Sequence, residues 1–125
     1  MNAHALAVAT YGNPLNAQKT ARTAEYQVIA RITSRLQRAQ ADRAKGFAAL
    51  AEALTENRRL WTEFAIDLAS AENALPDALK LQLLQLAEFS LRHTETVLRS
   101  DASADVLIDI NLAIMRGLSG KDDVT

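Results

Sequence analysis

The sequence predicts an all-α protein, a small antiparallel bundle of about four helices with a flexible N-terminal arm. Three observations predict it. Alanine and leucine dominate the 125 residues, and aromatics make up only 5 %, whereas β proteins of this size draw on β-branched and aromatic residues. Four glycines and two prolines leave few turns. After Thr20, apolar residues recur at spacings of three and four with little interruption, which is the period of an amphipathic helix.

Residues 1–19 carry one charge, Lys19, and a turn at Tyr11-Gly12-Asn13-Pro14. They read as the flexible arm, with at most one short helical turn before Tyr11. Residues 20–118 form the bundle, and residues 119–125 a polar tail.

The first helix runs from about Thr23 to Gln40, with Tyr26, Ile29, Ile32 or Thr33, Leu36 and Ala39 on one face and Arg31, Arg35 and Arg38 beside it. Asp42-Arg43-Ala44-Lys45-Gly46 breaks it, with Gly46 supplying the turn. The second helix runs from about Phe47 to Ser70. Its seam is Phe47, Leu50, Leu54, Asn57, Trp61, Phe64 and Leu68, and Asn57 is the one polar member. A loop from Ser70 to Leu75 leads to Pro76, which suits the first position of a helix because its missing N–H is not needed there.

The third helix runs from about Pro76 to Arg99 and carries two seams. One is Leu79, Leu83, Leu86, Ser90, His93 and Val97; the other is Leu81, Leu84, Glu88, Leu91, Glu95 and Leu98. A helix apolar round so much of its girth packs between neighbours or against a partner. Asp101 or Ser103 caps the fourth helix, which ends near Arg116 with Gly117 as its stop. Residues 19–45 are basic and the chain from Asp67 onward is acidic, so antiparallel packing sets opposite charges side by side.

Composition excludes several functions. With no cysteine, disulfides, thiolate catalysis and Cys-type zinc sites are out. A net charge of −1 gives no general grip on nucleic acid. No apolar run is long enough to span a membrane, and the start of the chain lacks the basic region of a secretory signal. A cytoplasmic protein is the expectation.

Catalysis is not expected either. His4 and His93 have no partner at metal-ligand spacing, and His93 reads as a core-edge residue. No glycine-rich phosphate loop exists. The carboxylates Glu52, Glu56, Asp101, Asp105 and Asp109 read as solvated faces and helix-start charges. Neither a cofactor nor a metal is implied. The stripe Arg31, Arg35, Arg38 is the one nucleic-acid hint; it lacks the aromatic platform that single-stranded RNA binding uses, so an internally paired, solvated face is preferred.

Two segments stand out. In Asn57-Arg58-Arg59-Leu60-Trp61, the sole tryptophan reads first as a core anchor and second as an interface hot spot. The segment from Leu107 to Leu118 is more apolar than a short surface helix of a monomer needs. Either the bundle wraps it or it lines a groove for another protein's helix.

Taken together, Tyr11-Gly12, Thr23-Ala24-Glu25-Tyr26, Asn57-Arg58-Arg59-Leu60-Trp61, Asn73-Ala74-Leu75-Pro76-Asp77-Ala78-Leu79, Arg92-His93-Thr94, Leu107-Ile108-Asp109-Ile110-Asn111 and Ile114-Met115-Arg116-Gly117-Leu118 resemble the FlaF family of bacterial flagellar regulators. The resemblance covers nearly the whole chain. It implies a small helical cytoplasmic protein needed for flagellin production or export, working alongside FlbT, which restrains flagellin translation. The role is comparable to that of the flagellin chaperone FliS.

Flagellin's terminal segments are amphipathic helices that must be covered before assembly, and capture in a groove does this without catalysis. The residues expected at a partner surface are Arg58, Trp61, Leu84, Leu91, Ile108, Leu112 and Met115. Flagellin is the expected partner, with FlbT or a homodimer as other occupants of the same apolar surface. The competing reading is post-transcriptional control of flagellin synthesis, with FlbT or on flagellin mRNA through the arginine stripe.

Overall fold

The computed structural model describes the backbone of residues 14–119 and the side chains of residues 25–118. The turn before α1 and most of the polar tail lie outside the described residues. Four helices follow in order: α1 (Pro14–Ala41), α2 (Ala48–Ala69), α3 (Asp77–Arg99) and α4 (Asp105–Ser119). A short 3-10 turn, Arg43–Lys45, links α1 to α2. No strand occurs among the described residues, and the all-α bundle is as expected.

Helix starts follow local chemistry. Pro14 opens α1, where a missing N–H leaves no bond unmade, so residues 14–19 are helical where the arm was expected. Pro76 stands just outside α3, and its carbonyl accepts the Lys80 amide at 2.9 Å. Between α2 and α3, Asn73 fixes the turn: its Oδ1 accepts the Leu75 amide at 3.0 Å and its Nδ2 donates to Asp67 at 3.1 Å. Ala104, not Asp101 or Ser103, is the N-cap of α4, its carbonyl accepting the Leu107 and Ile108 amides; Ser103 stands one position before it, and its Oγ accepts the Asp105 amide at 3.0 Å.

Two glycine readings are corrected. Gly46 is extended (φ 160°, ψ 142°), and the turn is made by Arg43–Lys45 before it. Gly117 does not stop α4, which continues to Ser119; a glycine ends a helix only where the backbone turns left-handed, and here it does not.

α1 packs on α4 and on α2, and α2 packs on α3, while α3 and α4 meet only sparingly. The register of α4 on α1 is set by two hydrogen bonds, Ala104 N to Gln40 Oε1 at 2.9 Å and Asn111 Nδ2 to Thr33 Oγ1 at 3.1 Å. This antiparallel register puts Leu118 level with Tyr26. The first three turns of α1, roughly 16 Å of helix, therefore run on beyond the end of α4.

The apolar core gathers at the end of the bundle where α1 turns into α2 and α3 into α4. Leu36, Ala39, Leu50, Ala53, Leu54, Val97, Ala104, Leu107 and Ile108 form it, with Leu98, Ala102 and Leu112 packed against it. Arg43 closes this end. Its guanidinium donates to the carbonyls of Ala102 and Ser100 and lies 5.4 Å from the centre of the Phe47 ring.

Candidate functional site

The middle of the bundle holds a polar knot. Asn111 on α4 accepts the Trp61 indole N–H at 2.9 Å through Oδ1, and its amide nitrogen donates to Asn57 Oδ1 at 2.8 Å and to Thr33. All four side chains are buried. Buried amides are retained where their bonds fix how helices align. The two segments that stood out in the sequence, around Trp61 and around Asn111, are thus joined through this knot. Trp61 is further held by Phe64, with ring centres 5.6 Å apart.

On α3 the buried positions are Ala87, Ser90, Thr94 and Val97. They form one stripe at spacings of three, four and three, and all are small. Of the expected seam, Ser90 and Val97 are buried, His93 is half-buried and Leu79 is exposed. Two side-chain bonds fix how α3 is turned. Glu95 pairs with Arg58 of α2 at 2.9 Å, so the stripe Leu84, Leu91, Glu95, Leu98 lies on the α2 side. His93 Nε2 bonds the carbonyl oxygen of Ser103 at 3.0 Å, so Gln82, Leu86, Phe89 and His93 lie on the α4 side.

That α4 side is uncovered. Phe89 is 40 % exposed while stacked on His93, ring centres 5.5 Å apart. Leu86 on the same side is only half-buried; elsewhere on α3, Leu81 is 59 % exposed and Leu84, on the α2 side, half-buried. On α4, Ile110 and Ile114 are only half-buried. They share a face three to four positions apart, on the side marked by the Ser103 carbonyl. The bundle is therefore closed at its connection end by His93 and Ser103 and open between α3 and α4 beyond it. The helix phases fixed by these bonds put Leu86 and Phe89 of α3 and Ile110 and Ile114 of α4 on the facing sides of this sparsely packed seam, the cleft.

The expected partner-surface residues fall in three places. Trp61 and Ile108 are interior, 3 % and 7 % exposed, so a partner reaches them only if the bundle opens. Arg58, Leu84 and Leu91 are half-buried on the α2–α3 edge. Leu112, packed on the core, and Met115 are half-buried on α4. The sequence reading missed Phe89, Ile110 and Ile114 as cleft walls, and Thr33 and Asn111 as bonding partners of Asn57 and Trp61. Asn111 stood in a quoted segment; its pairing across 54 positions leaves no periodic trace.

The arginine stripe is divided. Arg35 pairs with Glu56 of α2 at 2.7 Å, while Arg31 and Arg38 are exposed. Among the described residues, no three His, Asp or Glu side chains converge to hold a metal ion. No helix among them is long and apolar enough to cross a membrane.

Neither the curated proteins nor the solved structures contain a match to this chain. A family model does match: that of flagellar protein FlaF, over residues 7–118. The match takes in both halves of the polar knot, the small stripe of α3 and both walls of the cleft. The chain belongs to the FlaF family of flagellar proteins.

Proposed function

We propose that this chain is a non-enzymatic flagellar biosynthesis protein that binds flagellin in the cytoplasm as an export chaperone. It holds an amphipathic flagellin helix in the cleft between α3 and α4. One observation carries the reading: Leu86 and Phe89 of α3 and Ile110 and Ile114 of α4 are left half-buried or exposed on the sides where the two helices meet only sparingly. Apolar surface left contiguous on a small protein marks a partner site, and a two-walled groove of helices suits a helix. The cleft stripe Gln82, Leu86, Phe89, His93, Ile110, Ile114 contains no Lys, Arg, Asp or Glu, so binding is driven by apolar burial and is insensitive to salt.

Regulation of flagellin synthesis with FlbT or on flagellin mRNA is the other reading. It is disfavoured by the Arg35–Glu56 pair, which sets a carboxylate inside the arginine stripe where phosphates would have to lie.

The test is calorimetric titration with flagellin, full-length and truncated at each terminus, at low and moderate salt. The expected result is micromolar or tighter binding with a negative heat-capacity change, lost with one truncation and weakened at least tenfold by Phe89→Ser or Ile114→Ser. Absence of binding at both salts refutes the chaperone reading. Steeply salt-dependent binding of flagellin mRNA would establish the alternative.

A further inference from the structure

We propose that the first part of α3 is a hinged lid over Trp61. It tilts off α2 about the connection end of the bundle and opens the interior to a partner helix while the rest stays folded. The inference deepens the chaperone reading by naming the movement that admits a helix; only the last arm of its test rests on that reading.

The fixed point is the first argument. The connection from α3 to α4 is held at four backbone groups. Arg43 donates to the carbonyls of Ser100 and Ala102, His93 bonds the carbonyl of Ser103, and Gln40 accepts the amide of Ala104. The Arg58–Glu95 pair ties α3 to α2 at this same end. From there α3 runs back to Asp77. Among the described residues, no side-chain hydrogen bond or ion pair joins that stretch to α2.

The lever is the second. From Glu95 back to Asp77, α3 measures about 27 Å. A tilt of about 20° about Glu95 lifts its start by about 9 Å, which is one helix spacing. Residues 70–76 connect α2 to α3 and reach about 24 Å when extended. They follow the movement at the expense of the two Asn73 bonds.

The seat is the third. The Arg58–Glu95 pair sets an antiparallel register in which Trp61 lies level with Arg92. Trp61 therefore sits opposite the inward stripe between Ser90 and Thr94. The largest side chain of α2 meets small ones on α3, which leave room for it without gripping it. The Ser90 hydroxyl, 1 % exposed, has no hydrogen-bond partner. A buried polar group without a partner opposes its own burial, and tilting returns this one to water.

The absence of cysteine lets single thiols report the movement in the full-length protein. Ala87→Cys lies on the inward stripe and Ala53→Cys in the core, at positions 1 % and 3 % exposed. Each is labelled by an aromatic disulfide reagent under native conditions, and exchange of the residue 87 amide is followed alongside. Ser90→Cys is a second reporter in the same stripe, should Ala87→Cys disturb folding. The expected opening constant of the lid thiol is at least tenfold that of Ala53→Cys. It is also at least tenfold that of the residue 87 amide, because tilting bares a side chain while the helix keeps its backbone bonds. Adding Ser90→Ala to Ala87→Cys should slow labelling at least threefold. Equal constants for the two thiols overturn the proposal. So do equal constants for thiol and amide, which mean that α3 unwinds instead of tilting, and so does labelling that Ser90→Ala leaves unchanged.

In the last arm, Ile66→Cys and Glu88→Cys are joined by a short bis-maleimide. Both positions are exposed, and the same register sets them level on the outer edge of α2 and α3, so the link pins the lid. It should weaken flagellin binding at least tenfold. Binding that the link leaves unaltered overturns the lid's part in admitting a helix. A chain that binds no flagellin, linked or free, refutes the chaperone reading and leaves the thiol result standing.

Discussion

Replacing Asn111 by alanine removes the centre of the polar knot. The wild-type side chain accepts from the Trp61 indole N–H at 2.9 Å and donates to Asn57 Oδ1 at 2.8 Å and Thr33 Oγ1 at 3.1 Å. None of these partners is more than 3 % exposed, so water cannot replace the lost bonds. Each buried group left unpaired costs about 1–3 kcal/mol. The Trp61 N–H and the Asn57 carbonyl lose their partner outright. Thr33 can turn its hydroxyl elsewhere and counts for less. The expected loss is about 4 kcal/mol, a large part of the roughly 5–15 kcal/mol that holds a domain of this size. With a urea slope of about 1.5 kcal/mol/M, the midpoint falls by about 2.5 M, read by far-UV circular dichroism. A double-mutant cycle isolates the indole bond. Asn111→Ala and Trp61→Phe together should cost about 1–2 kcal/mol less than the sum of the two singly. A midpoint shift below about 0.5 M for Asn111→Ala, or plain additivity in the cycle, would refute the view that this knot holds α4 in register.

Other consequences are open to measurement. Arg43→Ala gives up two carbonyl bonds and the Phe47 ring; a loss of about 1–2 kcal/mol should lower Tm by about 5–8 °C in calorimetry. Ala87→Leu forces a large side chain into the small stripe of α3 and should cost about 1–3 kcal/mol in urea unfolding. Leu81→Ala, at a position 59 % exposed, should stay within about 0.5 kcal/mol by the same assay. Gly117 lies inside α4 with nothing within 4 Å of an added Cβ, so Gly117→Ala should raise stability by about 0.5–1 kcal/mol and Tm with it.

Much of this fold is legible in the residues, and the limits have physical reasons. The α2 seam reads directly: Leu50, Leu54, Asn57, Trp61 and Leu68 are buried, because large apolar residues at three-four spacing can only point inward. Phe47 leads that seam but stands at the helix entrance, 39 % exposed beside Arg43; periodicity alone does not show where a bundle stops. On α3 the leucines drew attention to themselves, whereas the helix seats on Ala87, Ser90, Thr94 and Val97. Small and weakly polar side chains carry little hydropathy, so a seam made of them is faint in sequence. Pro14 signals a turn and a helix start equally well; the helix start is seen, and the turn residues before it lie outside the described residues. The candidate site was the least legible part. Which seam faces α4 depends on one bond, His93 to Ser103, and no spacing rule pairs a ring nitrogen with a carbonyl ten positions on.

The small stripe of α3 has a consequence for the order in which the molecule comes apart. Dispersion attraction grows with the number of atoms in touch, and Ala87, Ser90 and Thr94 bring few. α3 is thus attached to α2 over a long length with modest strength, while α4 is tied to α1 and α2 by its amide and by Leu107 and Ile108 in the core. Native-state hydrogen exchange should find the amides of the first half of α3 opening well below the global unfolding free energy, and those around Asn111 only with it. On the proposed chaperone reading, a bound helix is released when the more weakly attached wall peels away, with the rest of the bundle left folded.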